Sequence, residues 1–303
     1  MLKKLSILLL ALTPLAGQAD PIRTDRVILL DAAATASHVF AVGERGVILE
    51  SGDSAGQWRT HAAGTDRTLT GIAFADPLRG VVVGHGGTLL RTSDGGETWQ
   101  KVEFAELGAE SVLGVLALGS DHYLLWGAFG LLARSDDGGV TWQKQQGFGP
   151  DFDRHISQIV RVSAGRLLLV GESGTLALSE DDGGHWRMMK SPYQGSLFGA
   201  LVTKDGGWLI YGMRGNLFRS ADQGKSWDKI DLGTTLGVMN GRQLPDGRVL
   251  LVGNAGLIAR SDDHGFSFHT GKTPRGLGIA QIALAPQGGV IAVGEGGIES
   301  LSP

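Results

Sequence analysis

Apolar residues along this chain fall in short runs, and one arrangement of two such runs recurs seven times. The copies read FAVGERGVILES, VVVGHGGTLLRT, LLWGAFGLLARS, LLVGESGTLALS, LIYGMRGNLFRS, LLVGNAGLIARS and IAVGEGGIESLS. Each joins an apolar run to a second apolar or alternating run through a Gly-x-x-Gly turn, which predicts a β-hairpin. A further apolar stretch lies upstream of each hairpin, as in Gly71-Ile72-Ala73-Phe74 or Gln158-Ile159-Val160. A fourth strand follows, as in Thr98-Trp99-Gln100-Lys101-Val102. The turns begin at Gly43, Gly84, Gly127, Gly171, Gly212, Gly253 and Gly294, about 41–44 residues apart. No helical periodicity competes with this pattern. The expected fold is all-β, a single seven-bladed β-propeller of four-stranded blades occupying residues 20–303 as one domain. The seventh unit reaches Pro303 just after its third strand, and a surplus stretch, Arg26-Val27-Ile28-Leu29-Leu30, precedes the first. That stretch is expected to complete the last blade and close the ring without a long open edge.

Residues 1–19 have a different pattern. Lys3 and Lys4 precede an apolar run from Leu5 to Leu12, then come Pro14 and the small-residue stretch Ala16-Gly17-Gln18-Ala19. A basic start, a short apolar core and a small-x-small site predict a signal peptide cleaved after Ala19. The run is about half of the ~18–20 residues that a membrane-spanning helix needs. The protein is expected to be exported to the periplasm, without membrane insertion.

Composition narrows the chemistry. Glycine numbers 49 of 303 residues, more than twice the usual share of ~7%, as many tight turns require. With 27 basic and 31 acidic residues, a net charge of −4 argues against nucleic acid as a partner. The absence of cysteine excludes disulfides, thiolate metal sites, a cysteine nucleophile and a lipid-modified N-terminal cysteine. No metal-ligand cluster, nucleophile elbow or phosphate loop stands out, so no cofactor and no metal are expected.

A second motif recurs between the third and fourth strands. It reads TSDGGETW at 92–99, SDDGGVTW at 135–142, SEDDGGHW at 179–186 and SADQGKSW at 220–227, with weaker copies at 51–58 and 261–268. Asp53, Asp94, Asp137, Asp181, Asp222 and Asp263 each lie five residues before the final aromatic. The motif resembles the bacterial-neuraminidase repeat, or Asp-box. Near-identical copies around a ring cannot all be one active site, and Ser, Asp and Gly are turn-forming residues, so the expected role is architectural. Arg91, Arg134, Arg219 and Arg260 recur at one position of the repeat and are expected to form ion pairs between blades.

Strand parity separates two faces. The Gly-x-x-Gly turns and the blade-to-blade connections lie on one, and the Asp-boxes on the other. The first face receives Arg45, Arg67, Arg154, Arg214 and Arg275, together with carboxylates such as Glu44, Glu172 and Glu295. A guanidinium fork binds carboxylate or phosphate bidentately. These five arginines are the candidate partner-binding residues, for an acidic segment or chain terminus; ordinary solvated loop charge is the alternative.

Sialidases carry the same Asp-box, so a glycosidase must be weighed. Their chemistry resembles an arginine triad with a Tyr–Glu nucleophile pair and an Asp acid. Of Tyr123, Tyr193 and Tyr211, only Tyr193 is expected on the turn face, and the Phe-Arg-Ile-Pro segment of that family is missing. Nearly the whole of residues 20–303, with its VGxxGxLxRSxDGGxTW units, looks like the photosystem II stability/assembly-factor family. That resemblance implies a non-enzymatic protein that helps assemble a membrane complex by holding a new subunit, partly through an arginine-rich surface. The N-terminal cysteine of many cyanobacterial members is missing here. The expected partner is a membrane protein or envelope transporter subunit, bound by a monomer, with no catalytic residues. A sialidase-like glycoside hydrolase or a carbohydrate-binding propeller are the alternatives.

Overall fold

Each repeat folds into one antiparallel sheet because consecutive strands are joined by turns that leave no other partner within reach. The computed structural model describes residue 23 and residues 26–301 except 53–55, 120 and 150. The expected signal peptide and Asp53 lie outside the described residues. Seven sheets are present, with strands paired in chain order from the centre outward. Blade 1 comprises Leu29–Ala34, Val39–Gly43, Ile48–Ser51 and Arg59–His61; blade 2 comprises Leu69–Phe74, Gly80–Gly84, Leu89–Thr92 and Gln100–Lys101. The inner strands of blades 3 to 6 are Val112–Ala117, Ile156–Ser163, Leu197–Val202 and Val238–Gln243. Blade 7 holds Ile279–Leu284, Val290–Gly294 and Gly297–Leu301. The protein is a seven-bladed β-propeller.

The expectation for the ring closure is corrected in one respect. The stretch Arg26 to Leu30 does not add a strand to blade 7; it leads into Leu29–Ala34, which pairs with Val39–Gly43 as the innermost strand of blade 1. The alanine-rich continuation through Ala34 disguised that strand, so its apolar beginning looked surplus. Among the described residues blade 7 has three strands.

Second strands such as Val39–Gly43 and Val81–Val83 are buried along their whole length, because both faces of each blade pack against neighbours. Apolar side chains of adjacent blades interleave: Phe40 and Ile48 of blade 1 meet Leu69, Val82 and Trp99 of blade 2. Burying side chains of this size is worth about 1.5–3 kcal/mol each, so the interfaces between blades form the core.

The repeated aspartate turns fasten these interfaces. The Thr92, Ser135, Ser179, Ser220 and Ser261 hydroxyls donate to Asp94, Asp137, Asp181, Asp222 and Asp263. The same hydroxyl oxygens accept the amides of Gly96, Gly139, Gly183, Gly224 and Gly265. Donation by the Thr98 hydroxyl and amide holds the Asp94 carboxyl down at about 2, and Ser226 does the same for Asp222. Trp142 then reaches back onto Val81 and Leu89 of the preceding blade.

The recurring arginines act differently from the ion pairs expected between blades. Arg91 Nε donates to the Gly138 carbonyl (2.8 Å), Arg134 Nη1 to the Asp182 carbonyl (3.2 Å) and Arg219 Nε to the His264 carbonyl (3.2 Å). Each acceptor belongs to the aspartate turn of the next blade, so the lock is guanidinium to backbone. The carboxylates that pair with Arg134 and Arg219 are Asp136 and Asp205 of their own blades. Blade 1 reverses the charges. Glu50 occupies the arginine position and holds Arg59 at 2.6 Å, which bridges to Glu97 of blade 2.

A polar clasp runs around the inner strands. In all seven blades a register shift after the first paired residue gives the inner strand a bulge. The residue that resumes pairing is Asp31, Gly71, Gly114, Gln158, Gly199, Asn240 or Gln281. Asp31 accepts the Ile72 amide (2.8 Å), Gln158 the Ala200 amide (2.8 Å) and Asn240 the Ile282 amide (3.4 Å), each from the following blade. Gln281 Nε2 donates to Asp31 at 2.8 Å, joining the last blade to the first. Asp31 therefore ties blade 1 to both neighbours. Replacing it by Ala should cost about 1–3 kcal/mol, the usual penalty for orphaning such a donor. Chemical denaturation measures the loss, and hydrogen exchange should localise it to strands Leu29–Ala34 and Ile279–Leu284; Asp31→Asn should cost less.

Candidate functional site: the turn face

The Gly-x-x-Gly turn is a close contact between backbones. A Cβ on the first glycine would lie 2.1 Å from the Ile28 carbonyl oxygen at Gly43, and 2.3 Å from that of Ser196 at Gly212. The second glycine has positive φ and meets the connection leading to the next blade. A Cβ on Gly46 would lie 1.9 Å from the Thr65 carbonyl oxygen, and one on Gly215 2.2 Å from that of Thr234. Turn tips and blade-to-blade connections are thereby locked together on one face, around the mouth of a central channel. The channel is a cavity of about 960 Å3 whose wall includes the bulge residues Leu30, Thr70, Leu113, Ser157 and Phe198.

All five candidate arginines lie on this face and all are exposed. Arg45 and Arg214 occupy turn tips in blades 1 and 5; Arg67, Arg154 and Arg275 lie in the connections that follow blades 1, 3 and 6. They form a rim and not one cluster. The Gly46–Thr65 contact sets the connection bearing Arg67 against the blade 1 turn, and the Arg67 guanidinium lies beside Gly86 at the blade 2 tip. The backbone of Arg154 is fixed by its carbonyl, which accepts the Gly130 amide at 2.9 Å. Arg275 donates to the Gly296 carbonyl at 2.9 Å. None of the five forms an ion pair among the described residues.

The opposite end of the ring differs. Arg59, Arg79, Arg134, Arg161, Arg166, Arg219 and Arg248 all pair with carboxylates there. On the turn face the carboxylates have other duties. Glu44 accepts the Ile28 amide (3.2 Å), Glu172 the His155 amide (3.2 Å) and Glu295 the Gly278 amide (2.9 Å). Each caps the entry to an inner strand. Asp66, Asp151 and Asp153 remain exposed in the connections.

Apolar side chains punctuate the same rim. Phe129 is 70% exposed at the tip of the blade 3 turn, and Met213, Leu277 and Ile28 are also exposed. Phe129 stands edge-on to His155, with ring centroids 4.8 Å apart. Its turn binds the Arg154 carbonyl, Met213 precedes Arg214, and Leu277 lies two residues beyond Arg275. The exposure of Ile28 and Leu277 depends on the path of the connections and leaves no signal in the sequence. Arg45, Phe129 and Arg214 hold left-handed backbone, with φ of 57°, 54° and 59°. Such conformations cost about 1–3 kcal/mol in non-glycine residues, and Ser173 and Ala255 adopt the same one at the tips of blades 4 and 6, so it is a property of the repeated turn.

The tyrosines do not form a sialidase-type centre. Tyr123 and Tyr211 are fully buried, and Tyr193 packs its ring 6.1 Å from Phe218. Among the described residues no group of His, Asp and Glu could hold a metal ion, and no helix is long and apolar enough to cross a membrane.

The sequence model of the photosynthesis system II assembly factor YCF48 matches residues 53–302. The chain belongs to the YCF48 assembly-factor family. No match was found among curated proteins. Among solved structures, YCF48 bound to D1 peptide superposes with a TM-score of 0.75 at 20% identity, covering 90% of this chain and 91% of that one. YCF48 from Cyanidioschyzon merolae gives a TM-score of 0.75 at 17% identity, covering 92% and 96%. The GH74 xyloglucanase from Xanthomonas campestris gives 0.72 at 17% identity, covering 90% of this chain and 52% of that one. These likenesses share the propeller fold; membership of the YCF48 family rests on the sequence match.

Left-handed strain at the tips makes a specific prediction. Arg45→Gly and Arg214→Gly should leave stability unchanged or raise it by about 0.5–1 kcal/mol. Gly215→Ala should lower it, because the added Cβ meets the Thr234 carbonyl. Urea denaturation of the three variants checks both signs.

Proposed function

We propose that this YCF48-family member is a non-enzymatic assembly factor. It acts in the periplasm after removal of residues 1–19 and holds a membrane protein or envelope transporter subunit by an acidic segment. The turn face is the docking surface. The observation that carries this reading is the asymmetry of charge pairing: none of the five exposed arginines on the turn face has an ion pair, whereas seven of those elsewhere do, with Arg91 and Arg242 held by backbone carbonyls and Arg187 left exposed. Unpaired guanidiniums beside apolar side chains suit an extended segment that alternates carboxylates with apolar residues. A relative is described as bound to D1 peptide, which supports a peptide segment as the kind of ligand. The protein works as a monomer, without a cofactor.

The glycosidase alternative draws on the propeller fold and the aspartate turns, and Glu172 on the turn face is engaged in capping His155. Capture from the cell envelope tests the docking reading. Wild type should retain a specific membrane protein, with retention falling as salt rises. The Arg67→Glu, Arg154→Glu, Arg275→Glu triple variant should lose it while melting like wild type. An unchanged partner set would contradict the proposal.

A further inference from the structure

Each inner strand gives one unpaired residue to the mouth of the channel, because its bulge falls one residue inside the turn face. Leu30, Phe198, Met239 and Ala280 hold this position in blades 1, 5, 6 and 7, whereas blades 2 and 4 have Thr70 and Ser157. These residues line the cavity and are half-buried. One residue deeper, Asp31, Gln158 and Asn240 accept backbone amides and Gln281 donates to Asp31. The polar layer is consumed by the ring itself. Over four consecutive blades, 5, 6, 7 and 1, the mouth offers a ligand an apolar arc.

Exposed apolar side chains continue that arc outward. Met213 stands at the blade 5 tip, Leu277 in the connection into blade 7 and Ile28 at the entry to blade 1. A Cβ on Gly237 would lie 3.5 Å from the Phe198 ring, which places that ring beside the entry to blade 6. A Cβ on Gly296 would lie 2.9 Å from Arg275 Nη1 and 3.0 Å from the Leu277 side chain. A guanidinium and an aliphatic group therefore share the blade 7 tip. Arg214, Arg275 and Arg45 border the same four blades, and none of them has an ion pair among the described residues. An apolar hollow edged by unpaired cations complements a large apolar side chain flanked by carboxylates. A purely acidic chain would leave the hollow wet, and an uncharged apolar ligand would leave the guanidiniums unused.

We propose that the channel mouth over blades 5, 6, 7 and 1 is a specificity pocket for one large aliphatic or aromatic side chain of the docked segment. Carboxylates on either side of that residue reach Arg214, Arg275 and Arg45. The pocket rests on the docking reading proposed above and adds to it the residue that the segment must carry. Charge on the rim accepts many acidic sequences; a buried apolar anchor selects among them.

Fluorescence anisotropy with two labelled, end-blocked pentapeptides tests the pocket. One probe has phenylalanine between two pairs of glutamates, and the other has serine at that place. Wild type should bind the phenylalanine peptide about ten-fold or more tightly than the serine peptide, as burial of a phenylalanine ring provides. Both affinities should fall as salt rises. Ala280→Phe fills the mouth, and Phe198→Ser removes its largest apolar side chain. Each should bring the ratio toward one while leaving the affinity for the serine peptide and the melting temperature unchanged. Either variant is sufficient if the other melts early. A ratio near one in wild type would overturn the pocket, while salt-dependent binding of both peptides would retain the arginine rim. An undiminished ratio in a folded variant would overturn the assignment to this mouth. Binding of neither peptide at low salt would overturn the docking reading, and the pocket with it.

Discussion

A carbonyl oxygen pressed against a glycine sets the geometry of this ring. At each hairpin tip the first glycine admits the backbone that enters its own inner strand. The second admits, in most blades, the connection that leaves for the next. Any side chain at Gly46, Gly87, Gly174 or Gly215 would overlap a carbonyl oxygen. That contact fixes where each connection crosses the face, and so where Arg67, Arg154 and Arg275 stand relative to the tips bearing Arg45 and Arg214. The functional face is a by-product of backbone packing.

The two ends of the ring divide the labour. At the aspartate-turn end, hydroxyls, carboxylates, backbone amides and guanidiniums satisfy one another, and the aromatic side chains seal adjacent blades. Polar groups used in this way are unavailable to a ligand. At the turn end Glu44, Glu172 and Glu295 cap inner strands, and Asp66, Asp151 and Asp153 stand exposed without pairing with the arginines. An exposed unpaired guanidinium loses little on binding, because it gives up only hydration and rotamer freedom to gain a charge-assisted hydrogen bond.

Much of this was legible in the sequence, and the failures have physical causes. The glycine spacing and the hydrophobic runs report local turn geometry, so blade number, strand number and the assignment of the five arginines to one face follow from them. The role of Leu29–Ala34 was misread because alanines and an aspartate do not resemble the valine- and leucine-rich strands elsewhere. Partners of Arg91, Arg134 and Arg219 could not be read because they are backbone carbonyls, which leave no trace in a sequence. The clasp of Asp31, Gln158, Asn240 and Gln281 was equally hidden. Its only signal is that the seven aligned positions hold nothing but glycine, an amide or a carboxylate, and its meaning depends on blades far apart in the chain.

Site-specific photo-crosslinking in the living cell addresses the central claim most directly. A crosslinking residue would replace Arg214 or Phe129 on the turn face in one set of strains, and Lys225 or His185 at the aspartate-turn end in another. The account predicts crosslinks to one membrane protein from the turn face, mapping to a segment rich in carboxylates, and none from the other end. Equal crosslinking from both ends, or adducts at a basic or uncharged segment, would contradict it.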